Sequence, residues 1–319
     1  MTQARFRTIA WAALGFTLAV ILWGAYVRAT GSGAGCGSHW PTCNGDVIPR
    51  PKSTATIIEF THRATSGLAF LMTLLQLVWA FVAFPRRHAV RWGAAASMFF
   101  MFTEALVGAG LVLFELVAQN TSIARAWWMG AHLINTFLLV AAMTATVFWA
   151  SGGPLPARGK VDGVCAGVLG GALLGTLIVG VTGAIAALGD TLFPAKSFAE
   201  GLAQDVSPTA HLLVQLRVLH PVVAAVVAAY LLFATSLVGA RRPGLRRGAT
   251  LLGVLVAVQI GAGLLNLGLL APVWMQIVHL LLADLVWMAL VVLAASSLAD
   301  PASQPASPQA TGARVAQGA

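Results

Sequence analysis

Charge is the scarcest property of this chain. Only 9% of its 319 residues are charged, and only ten are acidic. A soluble domain carries about 25% charged residues. With 58% hydrophobic residues, the chain could not cover a water-facing surface, so a soluble fold is excluded and lipid must be its solvent. Cysteine is also scarce: Cys36 and Cys43 share one loop, and Cys165 stands inside an apolar run. A net charge of +9 is also found in nucleic-acid binders. The basic residues, however, sit in short clusters between long apolar runs, which is the pattern of topology signals. No nucleic-acid partner is expected.

What is abundant is apolar sequence in lengths that cross a bilayer. Spanning the hydrocarbon takes about 20 residues as helix. Eight such runs lie near 8–28, 55–84, 92–116, 124–150, 161–188, 209–238, 249–269 and 271–296. The first is too long for the apolar stretch of a leader and has no convincing small-residue cleavage site, so it is expected to be a span. The class is therefore all-α integral membrane with eight transmembrane helices. Arg5, Arg7, Arg86, Arg87, Arg91, Arg158, Lys160, Arg241, Arg242, Arg246, Arg247 and Arg314 fall on one side, 12 of the 19 basic residues. That side is expected to be the cytoplasm, with both termini inside. The Pro-, Ala- and Ser-rich tail, 299–319, is expected to be disordered.

The runs repeat. The third and fourth contain VGAGLVL and then WWMGAHLINTFLL; the seventh and eighth contain IGAGLLNL and then VWMQIVHLLLADL. Two pseudo-symmetric four-helix bundles are expected, residues 1–155 and 156–298, related by an axis along the membrane normal. His62, His132, His220 and His279 fall on runs two, four, six and eight. Each is roughly 10–17 Å in from the outer end of its helix at 1.5 Å per residue. One intramembrane histidine is as readily an interhelical hydrogen bond or proton relay as a ligand. Four at matched depth, two per half, favour heme held between two imidazoles. Zinc would want three or four clustered ligands, and only Glu59 with His62 resembles that.

The halves differ chemically. Glu59 precedes His62 by three residues in IIEFTHR, on one helix face; its alternative role is simply to accept from His62 or pair with Arg63. The counterpart segment, RVLHP, carries Arg217 instead. One half is thus expected to do chemistry and the other to transfer electrons. In the first outer loop, ATGSGAGCGSHWPTCNGDVIPRPK, Cys36 and Cys43 lie on the oxidising side. A structural disulfide is a reasonable reading, and a redox-active pair is another. Arg28, Arg63, Arg125 and Arg217 near the outer surface suit heme propionates, or else anchor topology.

These segments together resemble the heme A synthase family of bacteria and mitochondria. The matching pieces are GAYVRATGSGAGC-x6-C with its WPTC turn, IIEFTHR, GAHLINT, RVLHP and QIVHLLLADL, in family order along almost the whole chain. The resemblance implies a multi-pass bacterial inner-membrane oxidoreductase that turns the C8 methyl of heme O into a formyl group for cytochrome oxidase. It implies that Glu59 is the catalytic carboxylate, that His62 and His132 flank or ligate the substrate heme, and that His220 and His279 ligate heme b. The loop cysteine pair matches bacterial members only. RVLHP departs from the His-Arg that other members often have, which leaves His211 as the rival to His220. The implied partners are an electron donor, the farnesyltransferase that makes heme O, and other copies of the chain. A diheme b-type electron carrier and a heme transporter or chaperone are the alternatives from other classes.

Overall fold

The computed structural model describes residues 3–50, 53–156 and 161–299. Arg158, Lys160 and the tail from residue 300 on, including Arg314, lie outside the described residues, and so does the expectation of disorder there. Ten α-helices make up the described chain. They are α1 (Gln3–Ala29), α2 (Thr54–Ala83), α3 (Ala89–Leu113), α4 (Ile123–Ala150), α5 (Gly163–Leu192), the short α6 (Phe198–Val206), α7 (Leu212–Gln215), α8 (Leu219–Arg241), α9 (Arg246–Gly268) and α10 (Val273–Ser297). Eight helical stretches are long and apolar enough to cross a membrane, with α7 and α8 counting as one, Leu212–Arg241. All eight expected runs are present.

Polar side chains start these helices where the sequence turns apolar. The Ser53 hydroxyl accepts from the Thr56 N–H, and the Ser122 hydroxyl from the Arg125 N–H. The Asp162 carboxylate accepts from the Val164 and Cys165 N–H groups. The Cys165 N–H bond is the main cause that holds the Asp162 carboxyl below its ordinary range. Each cap satisfies an amide that the first helical turn leaves without a partner.

Two departures from the expected runs have physical causes. The sixth run is not one smooth helix: a 3-10 turn, Leu216–Val218, joins α7 to α8. Pro221 has no N–H, and its ring excludes the carbonyl four residues back, so the preceding turn tightens. The loop before it holds α6, which begins at Ser197, whose hydroxyl accepts from the Glu200 N–H. That is a Ser-x-x-Glu start signal in SFAE.

Helix α1 packs on α2 and α4, α2 on α3, and α3 on α4. In the same way α5 packs on α8, α8 on α9, α9 on α10, and α10 back on α5. The two groups meet where α4 touches α5 and α10 and where α1 touches α10. Of the eight spans α4 is the most enclosed, with 44% of its most apolar stretch buried against 22–33% for the others, so it is the central helix. At the seam the Phe137 and Trp287 rings stack with centroids 5.2 Å apart. Trp287 Nε1–H donates to the Phe137 carbonyl at 2.7 Å. A hydrogen bond between spans has no water to compete with it and adds to packing in lipid.

Candidate functional site

All four histidine-bearing spans place their histidine near the end of the bundle where the Cys36–Cys43 loop lies, called here the loop end. His220 is the second residue of α8, and His279 is on the second turn of α10. Their ring centroids are 6.4 Å apart with planes at 82°. Two imidazoles that bind one metal ion, each through a nitrogen at about 2.0 Å, have centroids about that far apart. His279 Nδ1 is buried and has no hydrogen-bond partner. Thr182 Oγ1 lies 3.3 Å from His220 Nδ1, and Gln259 Nε2 lies 3.5 Å from His279 Nε2. This pair is therefore set among neutral groups. The separation, the unpaired nitrogen and the donor chemistry would fit an iron held by both imidazoles.

His62 on α2 and His132 on α4 are the other two, at the same end of the bundle. Nδ1 of each is buried without a hydrogen bond. One carboxylate stands beside this pair. Glu104 Oε1 lies 3.4 Å from His132 Nδ1, while Asn135 Nδ2 donates to Glu104 Oε2 at 2.6 Å. The Thr136 hydroxyl donates to Glu104 Oε1. Glu104 is one of the few intramembrane acids, and the sequence alone assigns it no role beyond pairing within the bundle. Its signal was register: Glu104 is four residues before Gly108 on α3, and Gln259 is four before Gly263 on α9. The repeat thus puts a carboxylate beside one histidine pair and an amide beside the other.

Glu59 is buried, 3% exposed. It does not bond His62. Its Oε2 accepts from the Cys36 N–H at 2.8 Å, and its Oε1 accepts from Arg63. Arg63 also donates to the carbonyls of His39 and Thr42. Thr56 Oγ1–H donates to the Gly35 carbonyl at 2.8 Å. Three residues of α2, each about a turn from the next, thereby sew the first loop to the helix that carries His62. The loop is itself closed by a Cys36–Cys43 disulfide, Cα atoms 4.4 Å apart.

Gly35 is where the loop touches α2 most closely. A Cβ there would lie 2.4 Å from the Ala55 backbone, which cannot step aside as a side chain could. Overpacking of this kind costs about 1–3 kcal/mol, and 1.4 kcal/mol is tenfold in an opening equilibrium. Gly35→Ala is thus expected to open the loop roughly tenfold more often, read as faster reduction of Cys36–Cys43 by a water-soluble phosphine. An unchanged rate would mean that the loop is not held by this contact.

The arginines near the loop end differ in what they already bind. Arg63 is paired with Glu59. Arg217 is paired with Asp190 and Asp205. Arg125 donates to the Ala118 and Asn120 carbonyls. Arg28 Nη1 reaches the Ala187 carbonyl and the Thr191 hydroxyl, and its Nη2 reaches Gln276 Oε1, each at 2.7 Å. Its bonded partners are all neutral, so of Arg28, Arg63 and Arg217 it alone has no carboxylate bonded to it among the described residues. It also ties α1 to α5 and α10. His211 caps α7, with Nδ1 accepting from the Leu213 N–H, and stacks on Phe193; it is not part of the His220–His279 pair. Asp284, fully buried on α10, has no hydrogen-bond partner among the described residues.

Comparison with known proteins adds the following. A profile of the cytochrome oxidase assembly protein family matches residues 7–291. A Thermus thermophilus protein named protoheme IX farnesyltransferase is 53% identical over 298 residues, which cover 92% of this chain and 49% of that protein. The heme A synthase of Exiguobacterium sibiricum is 36% identical over 165 residues, 52% of this chain and 53% of that one. The heme A synthase of Geobacillus kaustophilus is 36% identical over 145 residues, 44% of each. The chain spans about half the length of the curated relatives it matches.

Proposed function

The chain belongs to the cytochrome oxidase assembly protein family, and from that premise we propose that it is a heme A synthase. The substrate is heme O, whose C8 methyl becomes a formyl group by two hydroxylations and loss of water. The observation that carries this reading is the pairing of two histidine sites with unequal surroundings. A carboxylate, Glu104, stands beside His132, and neutral groups stand beside His220 and His279.

In this reading residues 1–155 form the substrate half and residues 156–298 the electron-transfer half. His62 and His132 flank or ligate heme O, and His220 and His279 hold heme b. When bound, heme b supplies one-electron transfer, chemistry that side-chain acids and bases lack. Glu59 is the proton-handling group. Its carboxylate is anchored at both oxygens, so its position against a bound macrocycle is set before substrate arrives. Arg28 and Arg125, with neutral partners only, are better placed than Arg63 and Arg217 to meet a propionate. The protein lies in a bacterial inner membrane with both termini cytoplasmic, and its basic connections face that side.

The name of the Thermus relative refers to farnesylation of protoheme, which accords with a farnesylated heme as substrate here. Handover from a farnesyltransferase would spare a water-insoluble substrate any passage through solvent. The test is to express the chain with a heme O synthase in a host that lacks heme A, and to identify the extracted hemes by chromatography and mass. Heme A or its hydroxylated precursor is expected. Unchanged heme O and protoheme, from folded protein with a bis-histidine spectrum, would turn the reading to an electron carrier or heme-handling protein.

A further inference from the structure

Each of the four intramembrane histidines meets a glycine on the span before it. A Cβ on Gly24 of α1 would lie 2.9 Å from His62 Cε1. On Gly183 of α5 it would lie 3.0 Å from His220 Cε1, and on Gly263 of α9, 3.1 Å from His279 Cε1. On Gly108 of α3 it would lie 3.9 Å from His132 Cε1. In every pair the glycine is on an odd-numbered span, the histidine is on the next, and the nearest atom is the ring edge between the two nitrogens.

Small residues between membrane helices commonly serve to let two backbones approach. That does not describe these four. The atoms within reach of the added Cβ are imidazole atoms, with no backbone atom among the three nearest. Elsewhere the helices carry glycines that meet nothing: Gly15, Gly67, Gly170 and Gly261 have no heavy atom within 4 Å of an added Cβ. Glycine is also a poorer helix former than alanine, so its presence opposite each histidine calls for a reason.

We propose that Gly24, Gly183 and Gly263 are positioning residues: each leaves the slot that one imidazole edge occupies, and so fixes how that ring presents its nitrogens to a flat tetrapyrrole. The last torsion of a histidine is broad and has no sharp rotamer of its own. A wall at Cε1 removes that freedom without using either nitrogen. His132 is held differently: Gly108 is only in ordinary van der Waals contact, and the Glu104 carboxylate stands on its Nδ1 side. The inference rests on the heme reading above, because without a metal ion the ring orientation has no chemical consequence.

The experiment uses the full chain, purified with its heme. Gly183→Ala and Gly263→Ala are compared with Gly261→Ala, which adds the same methyl to α9 in open space. The readouts are the low-spin ferric electron paramagnetic resonance signal, the heme midpoint potential, and the rate of heme loss to apomyoglobin. Disturbing groups that orient a metal-bound histidine weakens metal affinity by about 10–100-fold. Gly183→Ala and Gly263→Ala are therefore expected to lose heme about tenfold faster and to show a shifted low-spin signal, with Gly261→Ala like wild type. Both variants matching wild type in signal, potential and heme loss would overturn the positioning role and leave the heme reading standing. A wild-type chain without a bis-histidine low-spin signal would overturn both. Should one alanine variant not be recovered folded, the other reads the same pair from its opposite ring.

Discussion

Glu59→Gln is expected to give folded protein that retains its heme and makes no detectable heme A. General acid–base groups contribute about 10²–10⁴-fold to rate, and a loss of that size puts product below what extraction detects. Glutamine keeps the volume of the side chain. Its amide oxygen can still accept from the Cys36 N–H, which now donates to Glu59 Oε2 at 2.8 Å. What disappears is the negative charge, the partner of Arg63, and the ability to take and return a proton. Heme content and an unchanged rate of Cys36–Cys43 reduction in the purified variant would show that the loop stays docked. Normal heme A output would remove Glu59 from the chemistry.

The same result has a structural explanation that can be separated from it. Glu59 and Arg63 are also the main ties between α2 and the first loop, so the variant could act by freeing the loop. Gly35→Ala loosens the loop while leaving the carboxylate and its charge in place. If Gly35→Ala lowers heme A output as far as Glu59→Gln does, Glu59 acts through the loop. If Gly35→Ala lowers it only slightly, the carboxylate acts at the substrate.

The parts of this arrangement that were legible in sequence are those that lipid dictates. A span must satisfy its own backbone and must be about 20 apolar residues long, so the eight runs are visible without any knowledge of packing. Histidine depth follows from helical rise alone. The i, i+4 pairing of Glu59 with Arg63 was also present in IIEFTHR as one of two open choices, and the structure takes it over a bond to His62. The break before Pro221 and the short helix begun by Ser197 were available too, from proline sterics and a Ser-x-x-Glu signal, although the runs alone pass over both.

Other features depend on contacts that no local pattern encodes. Arg28 meets Ala187 and Gln276, which are 159 and 248 residues away, and only the packing of α1 against α5 and α10 brings them together. The same holds for the arginines as propionate candidates. Sequence placed Arg63 and Arg217 near the loop end, but whether their charges are free depends on Glu59, Asp190 and Asp205 reaching them. Glu104 illustrates a middle case. Its distance of 3.4 Å from His132 Nδ1 is tertiary, yet its register before Gly108 repeats as Gln259 before Gly263.

That contrast between Glu104 and Gln259 bears on which histidine pair keeps a resident heme, and it leads to the second large effect. His279→Ala is expected to abolish the bis-histidine low-spin signal and to deplete the purified chain of heme b. His132→Ala is expected to leave that signal in place while stopping heme A formation. Losing a group that merely supports a ligand costs about 10–100-fold in metal affinity, and losing the ligand itself costs at least that much. The two variants should part because His220 and His279 already stand 6.4 Å apart between rings among neutral groups, an arrangement suited to holding one iron through repeated oxidation changes. His132 has the Glu104 carboxylate beside it, and Glu59 precedes His62 by three residues on α2, which suits a site where substrate enters, is altered and leaves. Heme quantitation with the electron paramagnetic resonance spectrum of each variant decides it. An unchanged low-spin signal in His279→Ala together with its loss in His132→Ala would reverse the roles of the two halves.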